Sequence, residues 1–124
     1  MTITEIPDKE EIKDTTEFEI ETLKEGVKFD DDKIRYDLIP ADALHELAKV
    51  YTLGAKKYDD DNWLKGMKWR RVFGALLRHL YAWYRGERND PEDGQPHLAS
   101  VIWCGMTLLT YDLKGIGEDD RPAP

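Results

Sequence analysis

Apolar residues recur at helical spacing in three stretches of this chain, and its body holds no segment with the strict alternation of a half-buried strand. Over residues 42–58 they fall at Leu44, Leu47, Ala48, Tyr51, Ala55 and Tyr58, which predicts an amphipathic helix opened by Pro40. Gly54 costs this helix stability, and its missing side chain suggests close packing there. Asp59-Asp60-Asp61-Asn62 ends the helix, and residues 63–68 form a connecting loop.

A second helix is predicted from about residue 69 to 84, with Val72, Phe73, Leu76, Leu77, Leu80, Trp83 and Tyr84 at helical intervals and Gly86 as its stop. After a loop over residues 89–95, Pro96 opens a third helix over residues 98–111, apolar almost all round. Three helices offer limited surface to enclose such an element, so a partner chain is expected to cover part of it. The fold class is therefore all-α: a compact helical domain of three main helices over residues 28–114, whose first dozen residues are extended or turn-rich. An acidic leader (residues 1–27) precedes it, read as mobile, and a loose tail (residues 115–124) follows.

Charge sharpens this picture. The 124-residue chain carries a net charge of −8, of which −6 resides in residues 1–27, so the helical body is close to neutral. Within that body, residues 65–88 hold seven bases and one acid, Glu87. Such a concentration of like charge calls for an anionic ligand. Nucleic acid fits poorly, because backbone binding needs a broadly positive face and this chain is acidic overall. No secretory signal is legible at the acidic N-terminus, and the apolar run of the third helix is too short to cross a bilayer. A cytoplasmic location with no membrane partner is the expectation. Cys104 is the single cysteine, which excludes an intrachain disulfide and a multi-thiolate zinc site and reads as core filling.

Candidate chemistry gathers after the second helix. His79, Trp83 and Glu87 are spaced i, i+4, i+8, and Asp90, Glu92, Asp93 and His97 follow closely. These side chains could hold a divalent cation; Mg²⁺ prefers carboxylate oxygens, whereas Mn²⁺ also accepts imidazole. The other reading is a solvated acidic loop beside an ordinary helix histidine. Asp30-Asp31-Asp32 and Asp59-Asp60-Asp61 lack the glycine and distal glutamate of a calcium loop and read as solvated turns. Glu46 is either a salt-bridged surface residue or a further ligand. Trp63 and Trp69 frame the basic loop, where either ring could stack on a base while cations meet phosphate, or simply fill core. No Walker A loop, dinucleotide turn or nucleophile motif is present.

Several of these segments together resemble a known family. They are Lys28-Phe29-Asp30, Asp37-Leu38-Ile39-Pro40, Tyr51-Thr52-Leu53-Gly54-Ala55-Lys56-Lys57-Tyr58, Asn62-Trp63, Lys65-Gly66, Leu77-Arg78-His79-Leu80, Trp83, Gly86-Glu87, Asp90 and His97-Leu98. The family is the phage-associated N-terminal domain of dATP/dGTP diphosphohydrolases, and the resemblance covers residues 28–111. It implies a fold akin to the MazG-like nucleotide pyrophosphohydrolases, helical homodimers or higher homo-oligomers. These use Mg²⁺ or Mn²⁺ to split a nucleoside triphosphate into monophosphate and pyrophosphate.

The expected activity is thus metal-dependent pyrophosphohydrolysis of purine deoxynucleoside triphosphates. A non-catalytic nucleotide-binding or regulatory phage protein is the alternative. MazG-like enzymes carry a Glu-Glu-x-x-Glu cluster on one helix, but residues 69–84 hold no carboxylate. The resemblance therefore implies a site assembled from Glu87, Asp90, His79 and His97 as metal ligands. Glu87, His79 and His97 would serve the attacking water, Lys57, Lys65 and Arg78 the phosphates, and Trp63 or Trp69 the base.

Overall fold

The computed structural model describes residues 26–29 and 31–124, so the leader up to residue 25, expected to be mobile, lies outside the described residues. The chain divides into two compact units, Met1–Leu38 and Ile39–Pro124. In the first, the described residues form an extended and turn-rich segment with one 3₁₀ turn, Tyr36–Leu38. There the Arg35 guanidinium grips the Asp37 carboxylate through two bonds of 3.1 and 2.6 Å, which holds that carboxyl below its usual range.

The second unit is helical: α1 (Ala41–Lys57), a 3₁₀ turn (Asn62–Lys65), α2 (Trp69–Tyr84) and α3 (His97–Lys114). Among the described residues there is no strand, only isolated bridges between Lys68 and Glu118 and between Asn89 and Pro96. The fold is all-helical with three main helices, as the periodicity predicts. Pro40 and Pro96 stand at the N-caps of α1 and α3, where a missing N–H costs nothing.

The all-round apolar helix α3 is central, with α1 and α2 both packed on it. The run of α2 is antiparallel to it, since His79 meets His97 at one end and Trp69 meets Ile116 at the other. Val72, Cys104 and Tyr111 form the buried cluster, with Trp63, Trp69, Leu76 and Trp103 packed against it. Burial pushes the Cys104 thiol up to about 11, so it stays neutral at pH 7 and fills core, as expected. Two helices cover only part of α3, and Leu98, Ile102, Met106, Leu109 and Leu113 remain exposed as a stripe at three- and four-residue intervals. Among the described residues no helix is long and apolar enough to cross a membrane.

Two local expectations need correction. Gly54 makes no close contact: a Cβ there would meet nothing within 4 Å. Gly54→Ala is accordingly expected to raise stability by about 0.5–1 kcal/mol, read as a higher urea midpoint with unchanged slope.

The segment after α3, read as a loose tail, is instead bound to the start of α2. Lys68, the N-cap of α2, makes no side-chain capping bond. The tail supplies what the helix start lacks: the Trp69 N–H donates to the Glu118 carbonyl (3.0 Å) and the Arg70 N–H to Asp120 Oδ1 (2.8 Å). The Glu118 N–H in turn donates to the Met67 carbonyl (3.2 Å), and Gly117, at φ 79°, permits the approach because a Cβ there would collide with that oxygen. The capping carboxylate lies fifty residues away in sequence, beyond any local signature.

Candidate metal centre

The site is built where α2 stops. Gly86, at φ 104°, supplies the left-handed turn: its N–H donates to the Trp83 carbonyl (2.9 Å) and the Glu87 N–H to that of Ala82 (3.0 Å). This paired closure of a helix end needs glycine at that position. The chain then folds back through a tight loop. The Asp90 N–H donates to the Gln95 carbonyl (2.8 Å), and the Gly94 N–H to that of Asp90 (2.7 Å). The His97 N–H donates to the Arg88 carbonyl (3.0 Å). Asp90 Oδ1 accepts the Glu92 N–H and Asp93 Oδ1 the Gln95 N–H, both at 2.9 Å, so two aspartates stiffen the loop from inside. The loop is thus ordered rather than merely solvated.

These turns bring four of the expected site residues together. His79 Nδ1 and His97 Nδ1 are 2.9 Å apart, and His79 Nδ1 is 3.9 Å from Asp90 Oδ2. Ligand atoms of His79, Asp90 and His97 all lie within 4.8 Å of one another. Glu87 takes a different place: its Oε1 is 2.6 Å from His97 Nε2, the ring nitrogen away from the cluster. The His97 side chain is 5% exposed and that of Glu87 51%, so a half-open carboxylate holds a buried imidazole.

The tautomers follow from this geometry. With Nε2–H donating to the Glu87 carboxylate, neutral His97 presents a bare lone pair at Nδ1. A second bare nitrogen at 2.9 Å would repel it, so a proton or a cation belongs between the rings. Burial, followed by the neighbouring His97 and Arg78, lowers the His79 pKa below its ordinary value, against the opposing pull of Asp90 and Asp93. The His79 ring is thereby favoured in its neutral, ligating form.

The donor set fits a divalent cation. Ligands bound to one ion at ~2.1 Å stand about 3.0–3.4 Å apart, so the histidine pair is already close to that spacing, while Asp90, 3.9 Å from His79 Nδ1 in a cluster spanning 4.8 Å, must move inward. Two imidazoles and one carboxylate suit Mn²⁺, which tolerates imidazole, better than Mg²⁺, which prefers an all-oxygen shell. Glu87 then occupies the position of the outer carboxylate that commonly orients a ligating histidine.

The expected substrate contacts are more dispersed. Arg78 adjoins His79 on α2 and is exposed. Lys57 closes α1 with its ammonium 5.3 Å from the Tyr58 ring centroid, and Lys65 ends the 3₁₀ turn. Trp63 stacks on Tyr111 with ring centroids 6.3 Å apart and meets the edge of Tyr51 at 5.8 Å. The Trp69 indole N–H donates to the Ile116 carbonyl (2.9 Å), and the Arg121 guanidinium lies 4.9 Å over its ring. Tyr111 is fourteen residues beyond His97 on α3, about 21 Å at 1.5 Å per residue. Trp63, Lys65 and Trp69 therefore gather at the far end of the helix pair, and both indoles are engaged in packing. The residues that sequence reasoning left unassigned near the cluster are Trp83, one turn beyond His79, and Arg88, next to Glu87; i, i+4 spacing was the available signal for Trp83.

The fold and site define an all-helical domain with a histidine–carboxylate cluster where its two longest-paired helices meet a stiffened loop. The chain belongs to the family described as dATP/dGTP diphosphohydrolase, N-terminal, which matches it over residues 24–121. It is also similar to a curated dATP/dGTP diphosphohydrolase of Salmonella phage PMBT28, 35% identical over 97 residues. That alignment covers 77% of this chain and 33% of the phage protein, so the chain spans about a third of this relative's length. No solved structure matches the chain.

Proposed function

We propose that this chain is a metal-dependent diphosphohydrolase domain that converts purine deoxynucleoside triphosphates to monophosphate and pyrophosphate. The observation that carries the reading is the convergence of His79, Asp90 and His97, with Glu87 fixing His97, in a member of this family. His79, Asp90 and His97 would hold the cation through two nitrogens and one oxygen. A bound divalent cation supplies Lewis acidity there, offsetting phosphate charge and easing deprotonation of the attacking water.

The chain's own residues do the rest. Glu87 holds the His97 ring in one orientation and one tautomer, and Asp90 contributes the anionic charge that neutral imidazoles lack. Arg78, beside His79, and Arg88, beside Glu87, are both exposed and would meet phosphate oxygens. A MazG-like kinship belongs to this reading, as does a homo-oligomer in which the far part of the open α3 stripe, Met106, Leu109 and Leu113, is covered by a second copy.

The test is pyrophosphate release from a panel of common dNTPs and NTPs with Mn²⁺, with Mg²⁺ and with EDTA. Release confined to the metal-containing reactions, strongest with purine deoxynucleotides and greater with Mn²⁺, is the expected result. Nucleotide binding without release in any reaction would favour a non-catalytic nucleotide-binding protein on the same fold. Glu87→Gln is expected to weaken Mn²⁺ binding by about 10–100-fold, the usual effect of removing an outer-shell carboxylate, with turnover recovering at high Mn²⁺. Turnover lost at every Mn²⁺ concentration would instead put Glu87 among the groups that touch the cation or the water.

A further inference from the structure

The four tryptophans of this chain are not equally available. Trp63 is stacked on Tyr111, Trp69 is bonded to Ile116 and covered by Arg121, and Trp103 packs on the core with its ring centroid 6.2 Å from that of Tyr51. Trp83 is the most open of the four, 42% exposed. It lines an open cleft of about 350 Å³, together with Ala43, Glu46, Arg88, Leu98 and Ile102.

This cleft adjoins the metal cluster through the chain itself. Trp83 follows His79 by one turn of α2, Leu98 follows His97, and Arg88 follows Glu87. Arg88 also accepts the His97 N–H at its carbonyl. The residues that line the cleft are apolar apart from one arginine and one glutamate. That is the make-up of a slot for a flat heterocycle with polar groups on its rim, and its volume lies at the lower end of ligand pockets, ~300–1,000 Å³. Glu46 is paired with Lys49 at 3.1 Å, but both side chains are at least a third exposed. Solvent screens such a pair, so a ligand can replace the lysine at little cost.

We propose that this cleft is the base subsite, in which a purine ring stacks on Trp83 between Leu98 and Ile102. The Glu46 carboxylate accepts a hydrogen bond from the exocyclic amine, and Arg88 meets the phosphates on the way to the cluster. The proposal rests on the hydrolase reading above for its phosphate end, but base binding can be read without metal, phosphate or turnover.

The test begins with the indole N–H signals of ¹⁵N-labelled protein, titrated with deoxyguanosine and deoxyadenosine in metal-free buffer. Trp83→Leu assigns one signal by its loss, and a half-exposed site makes the variant's fold tolerant. The Trp83 signal is expected to shift with both nucleosides while the other three stay in place. In turnover assays Trp83→Leu is expected to raise KM for dGTP and dATP by about tenfold or more, on the scale of one lost base–aromatic stack. Inhibition by inorganic tripolyphosphate, a probe without a base, should hold within about twofold, since the phosphate contacts are untouched. Glu46→Leu, which has no acceptor, should erase any preference for amine-bearing purine nucleosides over unsubstituted purine deoxyriboside.

An unmoved Trp83 signal together with an unchanged KM would overturn the proposal and leave the hydrolase reading standing. A Trp83→Leu chain that falls from oligomer to monomer in sedimentation, with nucleoside binding intact, would overturn it in favour of a contact between copies. A Trp83 shift in a protein with no turnover and no tripolyphosphate binding would uphold the cleft and sink the hydrolase reading.

Discussion

Asp90→Asn is expected to abolish metal-supported turnover, by roughly two or more orders of magnitude, the scale on which removal of a catalytic group acts. The substitution is nearly isosteric and divides the two functions of this side chain. Oδ1, which accepts the Glu92 N–H at 2.9 Å, is retained, so the turn that stiffens the loop survives. Oδ2, which faces His79 Nδ1 at 3.9 Å, becomes an amide nitrogen that neither carries charge nor ligates. The cluster is then left with two imidazoles and no carboxylate, and the Mn²⁺ isotherm should flatten along with the rate. Stability should stay within about 1 kcal/mol of wild type, because the change leaves packing alone. Wild-type turnover in this variant would remove Asp90 from the site.

Tyr111→Ala is expected to be the most destabilising single change, at about 3–5 kcal/mol, which is a large share of the ~5–15 kcal/mol that holds a domain together. Tyr111 is fully buried, packs with Val72 and Cys104, stacks on Trp63, and donates its hydroxyl hydrogen bond to the Trp63 carbonyl. Alanine leaves a cavity and removes one of the two donors to the Trp63 carbonyl, the Gly66 N–H remaining. Tyr111→Phe keeps the ring and should cost only about 1–1.5 kcal/mol, the value of one buried hydrogen bond. Since Tyr111 lies about 21 Å along α3 from His97, turnover per folded molecule should be unchanged in Tyr111→Phe. Urea unfolding and turnover measured on the same samples check both statements. A Tyr111→Ala protein as stable as wild type would mean that this end of the bundle is not its core.

Much of the fold was legible because helices are written locally. The 3.6-residue recurrence of apolar side chains, Pro40 and Pro96 at helix starts and Gly86 after the stop place α1, α2 and α3 with little adjustment, since each signal acts within a few residues. Gly54 misled for the same reason. A glycine in a helix signals missing bulk, but not whether a neighbour comes close enough to use the space.

The candidate site divides along the same line. The cluster of His79, Glu87, Asp90 and His97 was legible because its members flank one short turn, so folding back a dozen residues suffices to join them. The roles within it were not. That Glu87 faces His97 Nε2 while His79 and His97 meet through Nδ1 depends on ring orientations set by packing between α2 and α3.

The sequence by itself determined the three helices, the lone core cysteine, the reversal at Gly86 and the stretch of chain in which the histidine–carboxylate cluster lies. Each follows from residues close together along the backbone. Only the tertiary structure decided which tryptophan faces solvent, which carboxylate caps α2 and which ring nitrogens converge. Those outcomes turn on burial and on hydrogen bonds between segments from ten to fifty residues apart, and local spacing carries no record of them.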